Sequence, residues 1–155
     1  MRFVFAVPAL ASAFLIALGP AAAQEWRSTG RGEGARAFFA KGGRPAGVQV
    51  ACLSGGRLEI TAAGNGARFP ADRPVTLVLS VDGTAFSGEA RVEPEAAGGG
   101  SRFVRVAEAG EAATLLAALK RGRGVEVSSP AGFMRLPLAG SGRALGALAP
   151  SCAGP

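Results

Sequence analysis

Cys52 and Cys152 are the two cysteines of this 155-residue chain. The chemistry open to such a pair is a disulfide, provided the chain reaches an oxidising compartment. Other reactive combinations are closed off. The chain has no histidine and no tyrosine, so neither a Ser-His-Asp nor a Cys-His arrangement can be assembled within it. Two cysteines without histidine do not make the usual four-ligand zinc site. No Gly-x-x-x-x-Gly-Lys-Ser/Thr loop occurs, so a nucleotide phosphate cradle is not supported. Carboxylates remain. Asp82 precedes Gly83 in a turn, Asp72 lies in the loop before Pro74, and Glu59 and Glu126 fall on solvent faces of strands. Nothing sets two of them at glycosidase spacing. The expectation is a protein that is not an enzyme, with no catalytic residues, no cofactor and no metal.

One compact basic group stands out: Lys120, Arg121 and Arg123, joined further on by Arg143. The plain reading is helix-end electrostatics and a solvated loop. The alternative is a surface for lipopolysaccharide or another anionic envelope polymer, whose binding would weaken steeply with salt. The net charge is +6, which suits weak attraction to such polymers. There is no dense basic run, and nucleic acid is not an expected partner.

Compartment is read from the first residues. Arg2 is followed by an apolar run from Phe3 to Leu18, broken by Pro8, and then by Gly19, Pro20 and three alanines. A basic start, an apolar middle and small residues at the end are the parts of a secretory signal peptide. The run is short for a membrane span of about 20 residues, and no later segment is long and apolar enough to cross a bilayer. The expected division is a signal peptide at 1–23, a single β-rich domain at 24–152 and a free tail at 153–155. The expected location is periplasmic or secreted.

The elements that must position the cysteines and the basic group are mostly strands. Val48, Val50 and Cys52 alternate with Gln49 and Ala51, which turns Cys52 inward. Trp26 starts an edge strand with its ring on the core, and residues 35–41 form a short strand. Gly42, Gly43, Arg44 and Pro45 make a turn, and Ser54, Gly55 and Gly56 another. Leu58 and Ile60 share a face of the next strand. Residues 75–81 alternate strongly, and Asp82-Gly83 then leads into residues 84–92, the strongest hairpin signal in the chain. Residues 93–100 read as a loop, and residues 101–106 as a strand carrying Phe103, Val104 and Val106. Residues 109–121 change period: Ala112, Leu115, Leu116 and Leu119 lie on one helical face, Glu111 and Lys120–Arg121 match the helix dipole, and Gly122 suits the cap. Val125 and Val127, a turn at residues 129–132, and Met134, Leu136 and Leu138 make a second hairpin. Pro137 places its strand at an edge. Ser141 is expected to cap a last helix, with Ala144, Leu145 and Leu148 inward and Pro150 as its stop. The fold expected is a mainly antiparallel β-sandwich or open barrel of about eight short strands with two short helices. Because Cys152 follows a helix that must face the same core as Cys52, the two are expected to be bonded.

The run Leu136-Pro137-Leu138-Ala139-Gly140, continuing through Arg143, Ala144, Leu145 and Leu148 to Cys152, resembles the end of several small exported β-proteins of Gram-negative bacteria. They share a strand, a glycine, a small-residue helix with Ala-Leu and a terminal cysteine. These are the type VI secretion-associated VasI/TagO family and the invasion-associated locus B family. Trp26 near the mature start and Cys52 after an alternating strand are similar too. The resemblance implies an envelope accessory role and brings no established catalytic residues, so none is carried over. The function expected is a non-enzymatic exported module whose partner is an envelope or secreted protein, with the anionic-polymer binder as the alternative.

Overall fold

The computed structural model describes residues 25–31, 34–95, 98–148 and 152. The expected leader at 1–23, the tail at 153–155 and the helix stop at Pro150 lie outside them. Nine strands and two helices follow in chain order: β1 (Glu25–Thr29), β2 (Arg36–Lys41), β3 (Arg44–Cys52), β4 (Leu58–Ala63), β5 (Val75–Val81), β6 (Thr84–Pro94), β7 (Ser101–Ala107), α1 (Ala109–Arg121), β8 (Gly124–Ser129), β9 (Gly132–Pro137) and α2 (Ser141–Gly146). The strands run in the order β1-β2-β3-β4-β7-β6-β5-β8-β9, every neighbouring pair antiparallel. The expected β class stands, with nine strands against the expected eight or so, curled into a nearly closed barrel.

Alternation explains most of the strands. Leu58, Ile60 and Ala62 of β4, Leu77, Leu79 and Val81 of β5, and Val125 and Val127 of β8 are buried, and the residues between them are not. Asp82 (φ 46°) and Gly83 (φ 91°) are both left-handed, as a two-residue turn with Val81 opposite Thr84 requires. A second such turn, at Gly42 and Gly43, corrects the expected four-residue one: Lys41 pairs with Arg44, so Arg44 and Pro45 already belong to β3. The expected loop at 93–100 is also shortened. Glu93 and Pro94 still belong to β6, opposite Arg102 and Ser101.

The barrel is made of two sheets that share β6. Residues up to Ala90 pair with β5, and Arg91–Pro94 pair with β7. Between them β6 parts from β7. At the other seam, β1 and β9 are the two free edges, and the Trp26 indole N–H donates to the Pro137 carbonyl across it at 2.9 Å. Trp26 is 5% exposed and meets Phe39 edge-on. Pro137 is on an edge strand, as expected.

Helix α1 links β7 to β8 and buries Ala112, Leu115 and Leu119. Helix α2 buries Ala144 and Leu145 and packs on α1, β1 and β2. Ser141 is not its cap. Gly140 (φ 83°) holds that position, and the Ser141 hydroxyl, almost fully buried, donates instead to the Leu119 carbonyl at 2.8 Å. A last-turn carbonyl of one helix is thus satisfied from the start of the next, which locks the two helices together.

Candidate functional site

Cys52 and Cys152 are bonded, with Cα atoms 5.1 Å apart, inside the range a disulfide needs. Cys52 ends β3 on the inward face, as its alternation predicts. Cys152 is held beside the end of the α2 region, its N–H donating to the Leu148 carbonyl at 3.1 Å. The bond therefore staples the α1–α2 layer to the β3 end of the barrel. It is structural in its surroundings: both residues are among the buried core.

The structure brings the four basic residues to one end. Lys120 and Arg121 are the last turn of α1, Arg123 follows Gly122, and Arg143 lies in α2, whose start is held against α1 by Ser141. A side chain at Gly142 would press on the Lys120 carbonyl. Arg121, Arg123 and Arg143 are exposed and Lys120 is half-buried. Among the described residues, none of the four pairs with a carboxylate. Arg123 also lines a cleft of about 410 Å³ with Ser80, Asp82, Glu126 and Arg135.

The carboxylates already have structural work. The Asp82 carboxylate accepts the backbone N–H of Arg123 at 3.0 Å and of Gly124 at 3.3 Å, so the hairpin turn fastens the start of β8. Glu126 pairs with Arg135 across β8 and β9. On the outer face of β4, β7 and β6, Arg91 bridges Glu59 (3.2 Å) and Glu93 (2.6 Å), and Arg102 also bonds Glu93 (2.8 Å). The hydrogen bond from Arg91 holds the Glu93 carboxyl below its ordinary value of 4.5, with Arg102 adding to it against partial burial. Glu59 and Asp82 stand on separate elements with separate partners. Among the described residues no cluster of potential ligands could hold a metal ion.

Two residues of consequence were not singled out in the sequence. Arg105 of β7 is 3% exposed. It donates to the Ser87 carbonyl at 3.0 Å and pairs with Glu111 of α1. In the β5–β6 hairpin Val81 and Thr84 close the ladder, so alternate residues of β6, Ser87 among them, turn their carbonyls away from β5. Arg105 fills the place where β6 has parted from β7. The signal was available: Ser101, Phe103, Arg105 and Ala107 share one parity, and all four are buried. Phe133 is the reverse case. It is the one large apolar side chain exposed among the described residues, at 63%, and it sits on β9, opposite Ser128. Its parity opposes Met134 only by one step, so the same counting places it outside.

No family of known proteins matches the chain, and no curated protein matches it. Among solved structures, the crystal structure of invasion associated protein B from Bartonella henselae is similar, with a TM-score of 0.46 and 18% identity, over 79% of this chain and 96% of that one.

Proposed function

We propose that the protein is an exported interaction module of the bacterial envelope, without catalysis, that binds a protein partner through the exposed end of β9. The observation that carries this reading is Phe133, the one large apolar side chain exposed among the described residues, at 63%, on a strand at the edge of the sheet. The Cys52–Cys152 bond supports an oxidising compartment, and the structural engagement of Glu59, Asp82, Glu93 and Glu126 supports a role other than catalysis. The sequence resemblance to exported Gram-negative β-proteins, the VasI/TagO and invasion-associated locus B families included, points the same way. Removal of residues 1–23 belongs to this proposal, and the intact mass of exported material should start at Gln24. For the partner, a photo-crosslinking residue placed at 133 should yield a discrete adduct in cells, and one placed at Thr76, exposed on β5, should not. Equal labelling at both positions, or none at 133, would refute the reading.

A second reading has its own observation. Lys120, Arg121, Arg123 and Arg143 gather at one end with no carboxylate paired to any of them among the described residues. They would bind lipopolysaccharide phosphates or a similar anionic polymer. Binding to lipopolysaccharide micelles should fall steeply with added salt and be lost when all four are changed to Ala. Unchanged binding in that variant rejects it.

A further inference from the structure

We infer that the free edge of β9 receives an extended, acidic segment of the partner as an added strand, an inference that rests on the interaction-module reading above. The Leu138 N–H donates to the Arg123 carbonyl at 3.0 Å, and the register continues with Gly124 opposite Pro137 and Val125 opposite Leu136. Bonded pairs alternate along an antiparallel ladder. Gly132, Met134 and Leu136 therefore turn their backbone groups to β8, and Phe133, Arg135 and Pro137 turn theirs outward. Pro137 displays this directly, since its carbonyl accepts the Trp26 indole. It has no N–H to offer, so the edge is closed at that point. Phe133 and Arg135 each keep an outward N–H and carbonyl with no hydrogen-bond partner among the described residues.

The side chains define what would fit. Phe133 and Arg135 are both exposed, on the face opposite the half-buried Met134 and Leu136. The Arg135 side chain is 72% exposed even with Glu126 as its partner. A strand laid along this edge sets one side chain beside Phe133 and another, two residues along, beside Arg135. The first should be apolar and the second a carboxylate, and exposed Arg123 beyond Pro137 favours further acid. Charge also decides against a second copy of this chain. Each mature copy would carry +5, the +6 of the whole chain less Arg2, and edge-to-edge pairing of two β9 strands would bring both Arg135 side chains into one short interface, where like charges oppose pairing. Adding a strand to an exposed edge draws affinity from main-chain bonds and specificity from alternate side chains.

The probe is a blocked, labelled peptide of threonines carrying glutamate and, two residues on, phenylalanine, the order that sets them beside Arg135 and Phe133 in an antiparallel strand. A twin carries lysine in place of the glutamate. Saturable binding of the glutamate peptide should slow hydrogen exchange at the Phe133 and Arg135 amides. Phe133→Ser should weaken it about tenfold, and Arg135→Glu should reverse the preference toward the lysine twin. Both positions are exposed, and an unchanged melting temperature verifies that the variants fold. Equal affinity for the twins, or no slowing at the two amides, overturns the inference. So does a dimer in sedimentation whose β9 amides are protected without peptide. A partner crosslinked from position 133 without slowed exchange at these amides overturns the strand addition alone and leaves the interaction reading intact.

Discussion

Arg105 stands where a strand ladder would otherwise continue, and its guanidinium does the work of the missing bonds. Truncation would orphan the Ser87 carbonyl and leave Glu111 facing a cavity. Arg105→Ala should therefore cost about 1–3 kcal/mol in denaturant unfolding, the range for leaving a buried polar group unpaired. Glu111→Gln keeps an acceptor on a side chain already 34% exposed, and should cost clearly less. Gly88→Ala should behave like the arginine variant, because a Cβ there would collide with the guanidinium. If Arg105→Ala unfolds at the native midpoint, the guanidinium is not what joins the two sheets. Glu93 gives a pH test. Its carboxyl titrates below its ordinary 4.5, chiefly through Arg91, so its stabilisation is complete above that value and disappears as pH falls through the lower, folded value. Glu93→Gln should lower stability at neutral pH by up to about 1 kcal/mol, as expected of a partly exposed ion pair. The cost should shrink as pH falls through the lower, folded value, and urea midpoints at neutral pH and along an acid series read the difference. At this scale parity was the legible quantity: it placed Cys52 inward and would have placed Arg105 there too. The partner of Arg105 was not legible, because Glu111 is brought to it only by the way α1 crosses the barrel.

Elements were the most legible level, for a local reason. The period of residues 109–121 gave α1 with its bounds intact, and Asp82-Gly83 gave its hairpin, because both depend on neighbours in sequence. The misses were at junctions. Gly42-Gly43 turns the chain in two residues because both adopt positive φ, and Pro45 is tolerated as the second residue of β3 because pairing with β4 starts only at Val48. Ser141 has a good capping residue's chemistry, yet Gly140 takes the cap and the hydroxyl goes to a carbonyl 22 residues back, a choice only the packed helix pair can make. Ser141→Ala should leave that carbonyl buried and unpaired, costing about 1–3 kcal/mol. Ser141→Thr keeps the donor and should recover part of the loss if the extra methyl fits. A Ser141→Ala variant with wild-type melting would show that the helix junction is held by apolar packing alone.

Over the whole molecule, the strand order β4-β7-β6-β5-β8 was beyond the reach of sequence. Alternation says that a strand has an inner face. It does not say which strand lies beside it, and β7 slots between β4 and β6 by global fit. The disulfide was legible because the expected compartment and the inward parity of Cys52 agreed on it. It closes a span of 100 residues, and the chain-entropy treatment assigns such a loop about 4–5 kcal/mol, comparable with the net stability of a small domain. Cys152→Ser should lower the melting temperature to about that of wild type measured in excess reductant, since both lose the same link. Reduced wild-type protein melting with the oxidised form would deny the bond its stabilising role.

The seam between β1 and β9 has an optical consequence. Trp26 is the chain's one tryptophan, and there is no tyrosine, so near-ultraviolet emission from the intact protein comes almost wholly from one indole. That indole is buried and bonded to Pro137 across the seam. Its emission maximum is therefore a gauge of one closure point, separate from the far-ultraviolet ellipticity that averages over all the strands. A red shift that precedes loss of ellipticity during mild heating would time the parting of the first strand from the last, while the rest of the barrel still holds.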